Sequence, residues 1–189
     1  MKLFGLIDSN NFYVACEQIF RPDLAQKPVV VLSNNDGCFI SRSNEAKKLG
    51  IPMGAPLFKY QHLIKHHNIE VFSANFSLYG DISARLMKLI SNEVPKVEVY
   101  SIDEAFMDLT GLPFPEKTAF KIRQQVFQNL GLPTCIGLAP TKTLAKVANH
   151  LAKKNLDYQG ICFLKESNSI QDALRYLPVE EIWGVGRQL

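Results

Sequence analysis

The pattern of apolar and polar residues opens with a short apolar run within residues 2–7, which ends at the acidic residue Asp8. Apolar residues then recur every three or four positions between Phe12 and Ile19, until Arg21-Pro22 interrupts the pattern. A short continuous run is typical of a buried strand, whereas the wider spacing is typical of one face of a helix. Proline cannot continue a helix, because its ring clashes with the preceding turn. The chain therefore opens with a predicted strand followed by a predicted helix.

The same patterns predict the elements that follow. They are strands over 28–32 and 38–41, helices over 43–49, 57–67 and 78–90, a hairpin within 97–109, a helix over 116–130, a strand over 134–138 and a helix over 141–154. The dipeptide Asp36-Gly37 favours a hairpin turn with positive φ angles, and Gly50 favours the end of a helix. Helical spacing predicts an inward face in 57–67, made of Leu57, Tyr60, Leu63 and Ile64. Residues 182–187 have the pattern of a helix-hairpin-helix turn.

The order of these elements predicts the fold class. With an inserted lobe over 21–74 set aside, the chain reads as strand, helix, strand pair, helix and strand. Such an order is typical of an α+β fold, with a ferredoxin-like sheet and helices on one face. A length of 189 residues and 47% hydrophobic content allow one domain, or one domain with an inserted lobe.

The amino-acid composition excludes few classes of function. The net charge of +3 is compatible with nucleic acid binding but is too small to indicate it. The four cysteines have no C-x-x-C spacing, and the sequence has no signal peptide, so we expect free, buried thiols in a reducing compartment. No stretch approaches the length of a membrane span. We therefore expect a soluble cytoplasmic protein.

Three acidic residues carry the strongest chemical signal. Asp103 and Glu104 lie side by side within a strand-forming stretch, and Asp8 closes the first strand. Two unpaired carboxylates 4 Å apart repel by about 4 kcal/mol at an effective dielectric constant near 20. Divalent cations would remove this repulsion, and oxygen ligands without His or Cys favour Mg²⁺. The pattern predicts a site for two metal ions that supports phosphoryl transfer, and three surface acids at strand ends are the alternative interpretation.

Two other metal sites are excluded by their spacing. A calcium-binding loop starting at Asp8 would need Gly at the position of Tyr13 and Glu at the position of Ile19. His62 and His66 have the spacing of a zinc pair, but the glutamate that accompanies such a pair is missing. We interpret these histidines as surface residues.

Positive charge is concentrated in two places. The helix over 141–154 has an apolar stripe and an opposite polar stripe, which contains Lys142, Lys146, Asn149 and Lys153. The segment 41–48 places hydroxyl and amide groups at a helix start, followed by two lysines. Both features suit a phosphate group, and a solvated helix face and helix capping are their alternative interpretations. By its spacing, Phe12 is a core residue, which leaves Tyr13 able to face the site.

Three motifs in order resemble those of the Y-family translesion DNA polymerases. They are Asp8-x-x-x-Phe12-Tyr13, the stretch from Ser101-Ile102-Asp103-Glu104 to Asp108, and the stretch from Gly137-Leu138-Ala139-Pro140 to Lys146. Two further stretches, over 29–38 and 182–186, resemble more narrowly the bacterial branch that forms the catalytic subunit of DNA polymerase V. The likeness runs along essentially the whole chain.

The resemblance implies an α+β polymerase palm made of residues 1–20 and 75–165, a small fingers lobe over 21–74, and the start of a thumb over 166–189. It also implies a role for each residue that matches a family motif. Asp8, Asp103, Glu104 and the carbonyl of Ser9 would hold two Mg²⁺ ions. Tyr13 would be the steric gate against ribonucleotides, with Phe12 beside it. The implied triphosphate contacts are Ser41, Lys47 and Lys153, and the implied contacts to the nascent base pair are Cys38 and Ile40.

The activity implied by the resemblance is error-prone synthesis past damaged bases, from primer-template DNA and deoxynucleoside triphosphates. The implied partners are a processed UmuD dimer, the RecA filament and the sliding clamp. Many family members carry Tyr and Arg at the positions of Asn44 and Lys47, so we expect weaker triphosphate contacts here. A palm-type nucleotide cyclase and a non-catalytic nucleic-acid-binding module are the alternative functions.

Overall fold

The structure is a computed structural model that describes residues 2–35 and 37–185. The chain divides into two compact units. The first unit comprises Met1–Ser9, Arg85–Asn129 and Pro133–Leu189, and the second comprises Asn10–Ala84 and Leu130–Leu132. The boundaries therefore fall after Ser9 and after Ala84, whereas the predicted palm and fingers boundaries fall after residues 20 and 74. The names palm, fingers and thumb stay predictions.

Eight strands and seven α-helices make up the described part of the chain. The strands are β1 (Phe4–Ser9), β2 (Val29–Leu32), β3 (Phe39–Arg42), β4 (Glu70–Ser73), β5 (Lys96–Val99), β6 (Glu104–Asp108), β7 (Thr134–Ala139) and β8 (Ile161–Phe163). The helices are α1 (Phe12–Phe20), α2 (Asn44–Lys48), α3 (Gln61–His66), α4 (Phe76–Ser91), α5 (Pro115–Leu130), α6 (Lys142–Lys154) and α7 (Ser167–Arg175). No helix among the described residues has both the length and the apolar character needed to cross a membrane.

A five-stranded sheet organises the first unit, in the order β5-β6-β1-β7-β8. The central strand β1 pairs antiparallel with β6 on one side and with β7 on the other. In the register of β1 and β6, Asp8 is opposite Glu104 and Leu6 is opposite Phe106. Residues opposite each other in antiparallel strands have their side chains on the same face. This register places two of the predicted metal ligands next to each other.

Helix α6 packs closely against the sheet because Gly137 of β7 has no side chain. A Cβ atom at this position would lie 2.2 Å from both the carbonyl oxygen of Ala145 and the amide nitrogen of Asn149. The core beneath α6 is apolar and includes Leu6, Phe106 and Ala148. Every residue of β7 is buried, so its opposite face is covered as well. The predicted α+β class is confirmed. Helices were predicted on one face of the sheet only, whereas both faces of β7 are buried.

The second unit contains a three-stranded sheet, in the order β3-β2-β4. All four residues of β2 are buried, as expected for a central strand with both faces covered. The inward face predicted for 57–67 packs on the core of this unit, since Leu57, Tyr60, Leu63 and Ile64 are partly buried against it. Residues 57–60 of this segment form a 3₁₀ turn that precedes α3.

Most predicted elements are present within two residues of their predicted ends, but β4, β8 and α7 were not predicted. Strands β4 and β8 are only four and three residues long, and each pairs in parallel with a strand distant in sequence. Such short strands carry too little periodicity to be recognised.

Of the turn predicted at Asp36-Gly37, Asp36 lies outside the described residues, whereas the backbone amide of Gly37 donates to the carbonyl oxygen of Asn34 (3.2 Å). The flanking strands β2 and β3 pair antiparallel, as the predicted hairpin requires. The end of the helix-hairpin-helix turn at Gly186-Arg187 lies outside the described residues. The four cysteines all lie in the described part of the chain and form no disulfide, as predicted. Cys16, Cys135 and Cys162 are buried as expected, whereas Cys38 is half-buried.

Candidate metal-binding active site

The centre of the candidate site is a pair of carboxyl groups on adjacent strands. Asp8 lies near the end of β1 and Glu104 starts β6, and the two residues are register partners. Their side chains are only 13% and 18% exposed. The backbone amide of Ser9 donates to the carbonyl oxygen of Asp103 (3.0 Å), which ties the end of β1 to the turn before β6. Strand pairing therefore brings Asp8 next to Glu104, and the hydrogen bond between Ser9 and Asp103 holds the backbone of Asp103 at the end of β1.

The turn before β6 is organised by Ser101. Its hydroxyl donates to Asp103 Oδ1 (2.8 Å) and accepts the backbone amide of Glu104 (3.1 Å). The backbone amides of Tyr100 and Ser101 both donate to the carbonyl oxygen of Glu104. A serine hydroxyl that bonds the backbone in this way stabilises a tight turn. Ser101 thus orients both neighbouring acids.

Two lysines of α6 neutralise the carboxyl pair. Lys153 Nζ lies 2.6 Å from Asp8 Oδ1, and Lys146 Nζ lies 3.0 Å from Glu104 Oε1. A third lysine, Lys142, pairs with Glu98 of β5. The prediction of a cationic face on α6 is confirmed for these lysines. It is wrong for Asn149, which is 2% exposed and donates its amide to the carbonyl oxygens of Leu6 and Cys135.

The environment of the acids disfavours their charged forms. The pKa of Asp8 is raised to about 7, chiefly by burial; Lys153 lowers it, and the neighbouring Glu104 makes a smaller contribution that raises it. Burial also raises the pKa of Asp103, with a contribution from the charge of Glu104, although the hydrogen bond from Ser101 lowers it. A buried carboxyl group next to another acid holds its proton more tightly, because the two negative charges repel. A cation bound here would relieve this repulsion.

The donor atoms fit divalent magnesium better than zinc. Asp8, Asp103 and Glu104 offer carboxylate oxygens, and no His or Cys is available among them. Within residues 2–35 and 37–185, no three acidic, His or Cys side chains close around one point as metal ligands would. Lysine ammonium groups hold Asp8 and Glu104 instead, and Ser101 holds Asp103. The carboxylate oxygens suit a divalent cation, but binding one would require Lys153 and Lys146 to move off Asp8 and Glu104.

In the second unit, Phe12 and Tyr13 differ in their exposure, as the helical spacing predicted. Phe12 is 3% exposed, whereas Tyr13 is half-buried. The Tyr13 ring lies 4.7 Å from the ring of Tyr79 and perpendicular to that of Phe76 at 6.2 Å. Tyr79 is fully buried, and its hydroxyl donates to Glu17 (2.7 Å). The Tyr13 ring is thus supported by a fixed aromatic neighbour.

The remaining candidates of the second unit lie on β3 and α2. Ser41 is 5% exposed, and its hydroxyl accepts the backbone amide of Val14 (3.3 Å). The Lys47 ammonium donates to the side-chain oxygen of Asn11, whose amide donates to Asn44 (3.1 Å). The capping interpretation of segment 41–48 is confirmed at Ser43, which accepts the amide of Ala46.

The other predicted residues of this unit lie close to β3. Ile40 is half-buried on β3, and Cys38 pairs with Pro56 in an isolated bridge. His62 and His66 are exposed, as predicted.

Sequence reasoning assigned no function to Ser101 and placed Lys146 only on a general cationic face. The spacing Ser101-x-Asp103-Glu104 is a signal that could have revealed Ser101, because a hydroxyl two residues before an acid often bonds the following backbone amides. The pairing of Lys146 with Glu104 has no local signal. This pairing depends on how α6 packs on the sheet, and the local sequence pattern does not specify that packing.

Comparisons with known proteins place the chain in a family. Residues 7–150 match the model of the impB/mucB/samB family. The protein UmuC of Salmonella typhimurium is 48% identical over 99% of this chain, which spans 45% of that relative. A solved insertion ternary complex of Dbh DNA polymerase superposes on 98% of this chain and 55% of its own, with a TM-score of 0.87 and 28% identity.

A Y-family DNA polymerase chimera of Dbh and Dpo4 gives a TM-score of 0.85 at 28% identity, over 97% of this chain and 54% of its own. The chain thus spans about half the length of the proteins it matches. The resemblance to the Y-family polymerases that its motifs indicated is confirmed. Because the family model covers most of its residues, the chain belongs to the impB/mucB/samB family.

Proposed function

We propose that the complete protein is an error-prone translesion DNA polymerase, and that this chain carries its catalytic carboxylates. The reaction is transfer of a deoxynucleotide to the 3′-hydroxyl of a primer on template DNA. One observation carries the proposal: Asp8 and Glu104 are paired across β1 and β6, are largely buried, and each pairs with a lysine of α6. Family membership and the likeness to solved DNA polymerases support it.

Asp8, Asp103 and Glu104, with the carbonyl of Ser9, would hold two Mg²⁺ ions. When bound, the ions would lower the pKa of the primer hydroxyl and neutralise the triphosphate and leaving pyrophosphate. Ser101 would keep Asp103 and Glu104 oriented through the hydrogen bonds it makes to both residues. Fixed ligand geometry of this kind reduces the reorganisation that the reaction requires.

Lys153 is the first-unit candidate for a triphosphate contact. Its ammonium group pairs with Asp8 at 2.6 Å, and its side chain is 35% exposed, so it can turn toward an incoming anion. In the proposed reaction, Lys153 would neutralise charge on the triphosphate, while Asp8 would be a ligand of the metal. A positive charge close to the transferring phosphate stabilises the transition state.

The second unit supplies the remaining proposed contacts. Tyr13 would exclude the 2′-hydroxyl of a ribonucleotide, with Phe12 as its buried neighbour. Ser41 and Lys47 would contact the triphosphate, and Cys38 and Ile40 would cover the nascent base pair. Lys47 provides a point charge where an arginine would provide a two-pronged contact, so this contact is expected to be weaker.

The proposal includes partners and a location for the complete protein. These are primer-template DNA, deoxynucleoside triphosphates, a processed UmuD dimer, the RecA filament and the sliding clamp, in the bacterial cytoplasm at the nucleoid. The likeness to the protein UmuC, together with the motifs over 29–38, supports this set.

Primer extension by the complete protein tests the proposal. Glu104→Gln should reduce extension by about a hundredfold or more, because one metal ligand is lost while the side chain keeps its shape. The matched control is Glu98→Gln, since Glu98 also pairs with a lysine of α6 but is not a proposed ligand. We expect both variants to fold as the unmodified protein does, as judged by circular dichroism.

Near-normal extension by the Glu104→Gln variant would refute the assignment. Incubation of the unmodified protein with ATP or GTP without primer addresses the alternative enzyme class. A cyclic nucleotide product would favour a cyclase over a polymerase.

A further inference from the structure

Lys146 lies against an aromatic cluster as well as against Glu104. Its ammonium nitrogen is 3.0 Å from Glu104 Oε1, 4.4 Å from the centre of the Tyr100 ring and 5.4 Å from that of Trp183. The Lys146 side chain is 18% exposed. A lysine held over aromatic faces is attracted by their electron density, and the attraction grows as water is excluded. Two kinds of neighbour therefore hold the same ammonium group.

The aromatic pair is itself fixed to the sheet. Trp183 Nε1 donates to the Tyr100 hydroxyl (3.0 Å), and the two rings are perpendicular with their centres 5.4 Å apart. Both rings also contact Phe106 of β6 at 5.7 Å. Trp183 belongs to no helix or strand, so these contacts and Lys146 determine where its ring lies. Any movement of Lys146 should therefore change the environment of the Trp183 ring.

A neighbouring lysine provides an internal comparison. Lys142 pairs with Glu98 and lies 5.2 Å from the centre of the Phe106 ring. Glu98 is 54% exposed, however, whereas Glu104 is 18% exposed and adjoins Asp8 in the strand register. Of these two lysines, Lys146 joins the aromatic pair of Tyr100 and Trp183 to a proposed metal ligand, Glu104.

We propose that Tyr100 and Trp183 are positioning residues that hold Lys146 on Glu104, and that Lys146 transmits the state of Glu104 to Trp183. The ammonium group acts as a resident single-charged cation that keeps Glu104 neutralised until a divalent cation displaces it. After displacement, the two rings keep the positive charge of Lys146 beside the site. The displacement step rests on the proposed metal site, whereas the link from Glu104 through Lys146 to Trp183 does not.

Fluorescence gives a direct readout, because Trp183 is the only tryptophan in the sequence. The first measurement needs no metal and uses the 189-residue chain in a chelating buffer. Glu104→Gln removes the charge that attracts Lys146, so the ammonium group should shift against the rings and change Trp183 emission. The matched variant Glu98→Gln removes the other ion pair and should leave the emission unchanged.

The second measurement is a titration with Mg²⁺, followed by Trp183 emission and by calorimetry. Emission of the unmodified chain should change and saturate with the calorimetric dissociation constant. In Lys146→Met this change should vanish, while Mg²⁺ binds about threefold to tenfold more tightly because its competitor is gone. In Lys142→Met, the emission change and the affinity should both match those of the unmodified chain.

The outcomes separate this inference from the proposed function. Unchanged emission in Glu104→Gln would overturn the link, and so would a normal Mg²⁺ response in Lys146→Met. If calorimetry detects no Mg²⁺ binding while Glu104→Gln still changes the emission, the link stands and the proposed metal site falls.

Discussion

Asp8 is the residue in which the conflict between folding and function is strongest. Its carboxyl group is largely buried, adjoins Glu104 and depends on one lysine for neutralisation. Burial raises its pKa to about 7, so at neutral pH the charge on Asp8 costs folding free energy. Sites that bind cations commonly keep such strained, partly compensated acids, because ligand binding later relieves the cost.

This conflict predicts a pH-dependent effect of Asp8→Asn. Since the folded state raises the pKa above its usual 3.8, Asp8 supports folding below about pH 4, and this support is lost as the pH rises through about 7. The variant should therefore be more stable than the unmodified chain at about pH 8, by about 1–3 kcal/mol, with a smaller gain at about pH 5. Urea unfolding in a chelating buffer measures both values.

The exposed acid Asp172 on α7 offers the matched substitution Asp172→Asn, which should change the stability little at either pH. A variant Asp8→Asn that is less stable than the unmodified chain at the higher pH would contradict the account of Asp8.

Tyr13 is the residue at which we expect sugar selection to be decided. Its ring rests on the fully buried Tyr79, so it cannot easily move away from a 2′-hydroxyl. Tyr13→Ala in the complete protein should raise ribonucleotide incorporation relative to deoxynucleotide by about tenfold to a hundredfold. Tyr13→Phe keeps the ring and should retain selection. Equal sugar selection in all three proteins, measured by single-nucleotide extension, would remove this role from Tyr13.

At the scale of elements, the position of α6 on the sheet determines which charged groups lie next to the candidate acids. Gly137 lets the helix backbone approach β7, and Asn149 binds the carbonyl oxygens of Leu6 and Cys135 (3.3 and 2.8 Å). This contact sets the rotation of the helix, which in turn places Lys146 and Lys153 over the two carboxyl groups. The amide nitrogen of this buried residue makes two hydrogen bonds to the sheet, which favours one arrangement of the helix.

Asn149→Ala should therefore destabilise the chain by about 1–3 kcal/mol, because two buried hydrogen bonds are lost. Asn129→Ala is the matched control, since Asn129 is exposed near the end of α5 and should change the stability by less than about 0.5 kcal/mol. Thermal or urea unfolding of the three proteins gives the comparison. Equal stabilities of the two variants would show that Asn149 does not secure α6.

At the scale of the whole molecule, the candidates are divided between the two compact units. The three carboxylates and their lysines all belong to the first unit, whose sheet supplies both strands of the acid pair. Cation binding should therefore depend on the fold of that unit. The chain spans 45% of the relative UmuC, and its net charge of +3 is small for a protein proposed to bind duplex DNA. Primer extension is therefore predicted for the complete protein.

The sequence by itself determined the identity and order of most elements, because hydrophobic periodicity and turn residues act locally. It also singled out Asp103 and Glu104 as candidate catalytic acids, since they conflict with the strand-forming stretch that contains them. The α+β class and the family follow from these local patterns and motifs.

Only the tertiary structure decided that Asp8 is opposite Glu104 and that each of these two acids pairs with a lysine of α6. It also decided that Asn149 faces inward. Strand register and helix rotation are set by contacts between residues far apart in the chain. Helical spacing placed Asn149 with the lysines on one stripe, but the close approach at Gly137 turned it toward the core. The short strands β4 and β8 exist because each pairs with a distant neighbour, and no local pattern encodes such a neighbour.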